Sequence, residues 1–177
     1  DLSSIGAIAN IPFTVADAPI GVHTAWAKAT DTSKNTQITD TVTFFVGQSV
    51  LFDGGTVENG EQKGGTVRWG FELTEKGMYR LAFKYSSPAF RGTEVWLDGD
   101  SITRSYFYKN TDAYQTIDIE MAQSGSHVLQ LTATGTTGLP DITSLRVFPL
   151  EGQTVPSAAA VTGVSSQRIG GDDDMID

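Results

Sequence analysis

Few residues among these 177 carry the side chains that do covalent chemistry, and their spacing narrows the options further. There is no cysteine, which excludes a thiol nucleophile, a disulfide framework and any Cys-ligated zinc site. The only histidines, His23 and His127, lie far apart, each inside a strand-like run, so no His pair exists to hold a transition metal. No serine stands in a G-x-S-x-G turn of the kind that exposes a nucleophile. Glu72, Glu94, Asp98 and Asp118 could be drawn into a carboxylate pair for glycoside hydrolysis, but each falls on a polar strand position or turn where a solvated carboxylate is ordinary. Gly54-Gly55 and Gly64-Gly65 mark turns that open no helix, and so they cradle no phosphate. Asp172, Asp173, Asp174 and Asp177 could begin a calcium loop, yet they lack the glycine and closing glutamate of an EF-hand and read as a solvated acidic tail.

What remains is the chemistry of contact, carried by aromatic rings. Trp69 alternates in phase with Val67 and Phe71 and belongs to a core. Trp96 lies between Val95 and Leu97, which places it on the opposite face of its strand, where it covers a loop, meets another domain or stacks on a ligand. Trp26 stands out of phase with Ala25 and Ala27 and suits a domain or subunit interface. The densest patch is Tyr106-Phe107-Tyr108, followed by Lys109 and Asn110. Alternation sends part of it inward and leaves the rest, with Asn110 and Asp112, to rim a ligand.

The elements that must hold these rings are strands. Twenty-two threonines and 19 glycines cut the chain into short runs, and almost none has the apolar spacing of an amphipathic helix. Strands are predicted over residues 21–29, 41–46, 66–73, 78–85, 93–97, 116–121, 127–133 and 142–148. Tyr79, Leu81, Phe83 and Tyr85 alternate as on the half-buried face of an antiparallel sheet. The fold class is therefore all-β, a β-sandwich or jelly roll. With 12 basic against 21 acidic residues, the formal net charge of -9 provides no footprint for nucleic acid or an anionic membrane. No apolar run approaches the roughly 18 residues of a membrane span.

Two resemblances organise the chain. Ala18-Pro19-Ile20-Gly21 followed by Ala27-Lys28-Ala29-Thr30-Asp31, and then Thr41-Val42-Thr43-Phe44-Phe45-Val46, resemble the C-terminal half of a bacterial immunoglobulin-like domain over residues 1–47. Val67-Arg68-Trp69-Gly70-Phe71, Lys76-Gly77-Met78-Tyr79, Val95-Trp96-Leu97-Asp98-Gly99, Gly125-Ser126-His127-Val128 and Pro140-Asp141-Ile142 resemble, in order and spacing, a carbohydrate-binding module of the family 6 and family 35 group over residues 48–150. Residues 151–177, with Pro156, three successive alanines and the acidic end, read as linker and tail. The second resemblance implies a jelly-roll-like sandwich that binds a polysaccharide without catalysis, as part of a secreted or cell-surface bacterial protein. Aromatic faces would stack on sugar rings while amides pair with hydroxyls. It also implies Tyr85 and Tyr114 as ligand contacts, to which Trp96, Tyr108 and Asn110 are added from the residues themselves, and a structural calcium with Asp141 among its ligands. A reading of a different class starts from the half-domain over residues 1–46. It would be completed by the remainder of a longer polypeptide or by another chain, in a structural or adhesive assembly outside the cell.

Overall fold

A computed structural model describes residues 16–54, 56–57, 65–136 and 138–159. The chain divides into two compact units, Asp1–Val46 and Gly47–Asp177. Every described element is a strand, and no helix long and apolar enough to cross a membrane occurs among the described residues.

Among the described residues, the first unit is a two-stranded ribbon. β1 (Gly21–Ala25) pairs antiparallel with β4 (Val42–Val46), and β2 (Lys28–Thr30) with β3 (Thr36–Ile38). The predicted strand over residues 21–29 is thus interrupted. Trp26 and Ala27 face Thr39, Asp40 and Thr41, and the extra residue on the return path bends the ribbon as a bulge does. Its tip is tied by Asp31, whose carboxylate accepts the Asn35 backbone N–H at 2.8 Å and the Asn35 side-chain amide at 2.7 Å. Those bonds, the side-chain one first, hold the Asp31 carboxyl below its ordinary pKa. His23 and Phe44, directly opposite across the strands, stack at 5.5 Å.

The second unit is a β-sandwich. Its strands are β5 (Val50–Asp53), β6 (Thr56–Val57), β7 (Thr66–Leu73), β8 (Gly77–Ser87), β9 (Arg91–Leu97), β10 (Asp100–Phe107), β11 (Asn110–Met121), β12 (Gly125–Ala133), β13 (Asp141–Pro149) and β14 (Ser157–Ala159). One sheet runs β10-β9-β12-β7, with β6 and β14 sharing the far edge of β7, and the other runs β11-β8-β13-β5. All of these pairs are antiparallel, so inward residues alternate with outward ones. Phe71, Tyr79, Leu81, Phe83, Phe107, Leu129, Leu131, Leu145 and Val147 are fully buried between the sheets. Each such side chain contributes about 1.5–3 kcal/mol. Trp69 is in this core as its phase requires, and its indole N–H donates to the Asp53 carbonyl at 2.8 Å.

Two local devices fix the ends of the sandwich. Asp98-Gly99 is a two-residue hairpin turn with both φ angles positive, 54° and 94°, which closes β9 onto β10. The Asp98 carboxylate accepts the Val128 N–H at 2.8 Å, and its other oxygen lies 2.6 Å from His127 Nδ1, while His127 Nε2 lies 3.1 Å from the Gln123 carbonyl. His127 is therefore a buried tie between a turn and β12. At the other device the chain continues to pair beyond Pro149, where composition alone reads a linker. Gln153 is buried, its amide lies over Gly77, and Ser157–Ala159 extends the edge of β7. The sandwich thus includes the stretch up to Ala159. The acidic run at residues 172–177 lies outside the described residues.

The sequence passes over β10 because an edge strand exposes most of its residues and needs no alternation; only Ser105 and Phe107 of its eight are buried. β8 runs to Ser87, two residues further than predicted, and this changes the role of Tyr85.

Candidate ligand-binding site

At one end of the sandwich the β8–β9 loop meets the β10–β11 loop. β8 ends in Ser86 and Ser87, the chain turns through Pro88, Ala89 and Phe90, and β9 returns from Arg91. Ser87 donates its hydroxyl to the Ala89 carbonyl at 2.6 Å, which tightens that turn. Opposite it, Asn110 pairs with Ser87 and accepts, through its side-chain oxygen, the N–H groups of Thr111 at 2.8 Å and Asp112 at 3.2 Å. The amide oxygen is thus spent on the backbone and the NH2 group remains to donate. Between the loops lies an open cleft of ≈ 600 Å³ lined by Ser86, Ser87, Pro88, Lys109, Asn110 and Thr111.

Three exposed rings stand at the same end. Phe90 stacks on Tyr106 at 5.7 Å with an interplanar angle of 16°, and meets Tyr108 edge-on at 5.5 Å. Phe90 is 53% exposed, Tyr106 46% and Tyr108 64%, so this is an apolar surface in water and not a corner of the core. Phe107, between the two tyrosines in sequence, is fully buried, as the alternation of the patch requires. Tyr108 is held from beneath: the Tyr85 hydroxyl donates to its carbonyl at 3.2 Å, and the Tyr85 ring packs edge-on against Phe107 at 4.9 Å.

That arrangement corrects the expectation for Tyr85. It is 4% exposed and its ring is part of the core, so it supports the site from below and offers no face to a ligand. Tyr108 and Asn110 fall in the exposed cluster and at the cleft. Tyr114 and Trp96, both half-buried, lie elsewhere. Tyr114 pairs with Lys84 on the outer side of the β11-β8-β13-β5 sheet, whereas Trp96 is on the outer side of the other sheet. The structure does not bring these two together. Phe90 is the residue that sequence reading missed. Its one signal was a large ring in a stretch, Ser86-Ser87-Pro88-Ala89-Phe90-Arg91-Gly92, otherwise made of turn residues, where no strand core could use it.

Charge at this end is local. Lys84 is paired with Asp112 at 3.2 Å, and Lys109 brings a cation to the cleft wall. Asp141 is exposed at the start of β13, opposite Ser86. No group of three or more His, Asp or Glu that could hold a metal is found among the described residues, and β5 offers no glutamate.

No family model matches the chain, and no curated protein matches it. Solved structures do. One is the family 35 carbohydrate-binding module of Cellvibrio japonicus Abf62, with a TM-score of 0.53 and 24% identity, covering 64% of this chain and 99% of that one. Another is a Xyl-CBM35 in complex with a disaccharide containing glucuronic acid, with a TM-score of 0.52 and 24% identity, covering 63% of this chain and 98% of that one. The likeness establishes the jelly-roll sandwich as the fold.

Proposed function

We propose that the sandwich is a non-catalytic carbohydrate-binding module of a secreted protein, and that its ligand lies on Phe90, Tyr106 and Tyr108 and in the adjoining cleft. The observation that carries this reading is the exposed cluster of three rings beside a wall of hydroxyls, one amide donor and one ammonium group. A sugar presents a flat C–H face and a polar perimeter, and a platform with a polar rim matches both at once. The two solved modules of the same fold support the reading, and one of them holds a sugar acid. Lys109 would pair with such a carboxylate here, as an exposed and salt-sensitive contact.

The test is retention on neutral and acidic polysaccharides, with and without calcium, by the wild type and by Phe90→Ala, Tyr108→Ala, Asn110→Ala, Tyr114→Ala and Trp96→Ala. Loss of one stacked ring is expected to weaken binding roughly fivefold. Tyr114→Ala is expected to bind as the wild type does, since that side chain lies further along β11 than the cleft residues and outside the ring cluster. Retention of none of the glycans under any condition overturns the reading, and retention unchanged in Phe90→Ala and Tyr108→Ala overturns the site.

A second reading rests on the ribbon. Trp26, Ile38, Val42 and Phe45 are 60%, 59%, 63% and 37% exposed on a two-stranded element, which is marginal by itself. A longer polypeptide or another chain that adds strands to it would make the protein a unit of an extracellular assembly. Molar mass in solution and amide exchange over residues 21–46 decide it. A monomer whose ribbon exchanges at the rate of an unfolded chain removes this reading.

A further inference from the structure

Next to the site of the carbohydrate reading above, on which this inference rests, lies the outer face of β9 and β10. Thr93 and Val95 are buried, so Gly92, Glu94 and Trp96 face outward along one strand. Across the pair, Tyr106 stands beside Gly92, Arg104 beside Glu94 and Ser101 beside Trp96. The irregularity at Ile102 absorbs the register shift and keeps Ser101 and Arg104 on this outer side. On the other flank Thr132 is beside Glu94 and Gln130 beside Trp96.

The order along the strand is ring, polar band, ring. The near end is closed in over Gly92: a Cβ there would lie 2.6 Å from the Thr134 hydroxyl oxygen and 3.8 Å from the Tyr106 ring, so Thr134 and Tyr106 cover the strand where a side chain would otherwise stand. The polar band holds donors and acceptors already arranged, with Ser101 donating to Glu94 at 2.9 Å and Gln130 to Thr132 at 3.0 Å. Trp96 lies four residue steps along the strand from Gly92, or about 13 Å at ~3.3 Å each. A sugar or disaccharide seated on Phe90 and Tyr108 does not span that distance. A linear chain does.

We propose that the site takes an internal stretch of a linear polysaccharide, laid along β9 from the Phe90–Tyr106–Tyr108 cluster to Trp96, with Glu94, Arg104 and Gln130 pairing with hydroxyls in between. Titration calorimetry with xylo-, manno- and galacto-oligosaccharides, from the monosaccharide to the octasaccharide, reads this directly. For the series that binds, affinity should keep rising beyond the disaccharide. Trp96→Ala should weaken the longest ligands roughly fivefold and leave the shortest unchanged, whereas Tyr108→Ala should weaken every length. Arg104→Ala, at an exposed position that folding does not need, should repeat the length-dependent loss, and Trp96→Phe should restore most of it. An affinity that stops rising at the disaccharide, or long ligands bound equally by wild type, Trp96→Ala and Arg104→Ala, overturns the extended site and leaves the loop-end site standing. Absence of binding at every length, in all three series and to the parent polysaccharides, overturns the carbohydrate reading itself.

Discussion

Tyr85 would serve the proposed binding surface without touching it. Its hydroxyl bond to the Tyr108 carbonyl joins the core to the loop that carries an exposed ring. Tyr85→Phe removes that bond alone and is expected to cost about 1 kcal/mol in urea unfolding and, if the proposed site binds glycan, to weaken that binding because Tyr108 is no longer held. Tyr85→Ala also opens a cavity and is expected to cost about 3–5 kcal/mol. The sequence placed this tyrosine at the end of its strand; because β8 continues to Ser87, it is one more inward position after Tyr79, Leu81 and Phe83. At the ribbon tip the pH dependence has a definite sign. The Asp31 carboxyl is held below its ordinary value of 3.8, so its bonds to Asn35 are complete above that value and are lost as pH falls through the lower folded value. The Asn35 backbone amide resonance should titrate with a midpoint below 3.8, and in Asp31→Asn that titration should vanish.

At the level of elements, the short strand after the linker-like segment depends on one glycine. Gly77 opens β8 at a φ of 147°, and a Cβ there would overlap the Gln153 amide. Gln153 in turn accepts the Glu151 N–H at 2.9 Å and donates to the Glu151 carboxylate at 3.0 Å, while Glu75 accepts the Thr154 N–H at 3.1 Å. Gly77→Ala is expected to cost more than about 1 kcal/mol in thermal unfolding and to raise amide exchange over residues 157–159, since it displaces the segment that brings β14 to β7. This part of the sandwich was not legible in the sequence. Ser157-Ala158-Ala159 has little strand preference of its own, and it pairs because β7 presents an edge and Gln153 sets the approach. The β9–β10 hairpin is the contrary case, since Asp98-Gly99 between two runs is a strong local turn signal.

Across the whole molecule, the two units are compact and have separate hydrogen-bonded sheets. The sandwich has the core, and the ribbon has exposed Trp26, Ile38 and Val42. A chain that begins at Gly47 is therefore expected to unfold cooperatively with the same midpoint as the full chain, measured by circular dichroism at a core-reporting wavelength, and to keep its glycan affinity. A large fall in midpoint would mean that the ribbon contributes to the stability of the sandwich.

The sequence by itself determined the all-β class, the inward turn of Trp69, the outward turn of Trp96, and the division of Tyr106-Phe107-Tyr108 between core and surface. All of these follow from composition, punctuation and a period of two, which are local properties of a strand. Only the tertiary structure decided that Phe90 completes the aromatic cluster, that Tyr85 lies beneath it, that Tyr114 is on the opposite sheet from Trp96 and that Trp96 shares a face with Tyr106. The physical reason is that alternation says which side of a strand a residue takes, but not which strand lies next to it. Register across β9 and β10, and the meeting of two loops distant in sequence, are set by the packing of one sheet on the other.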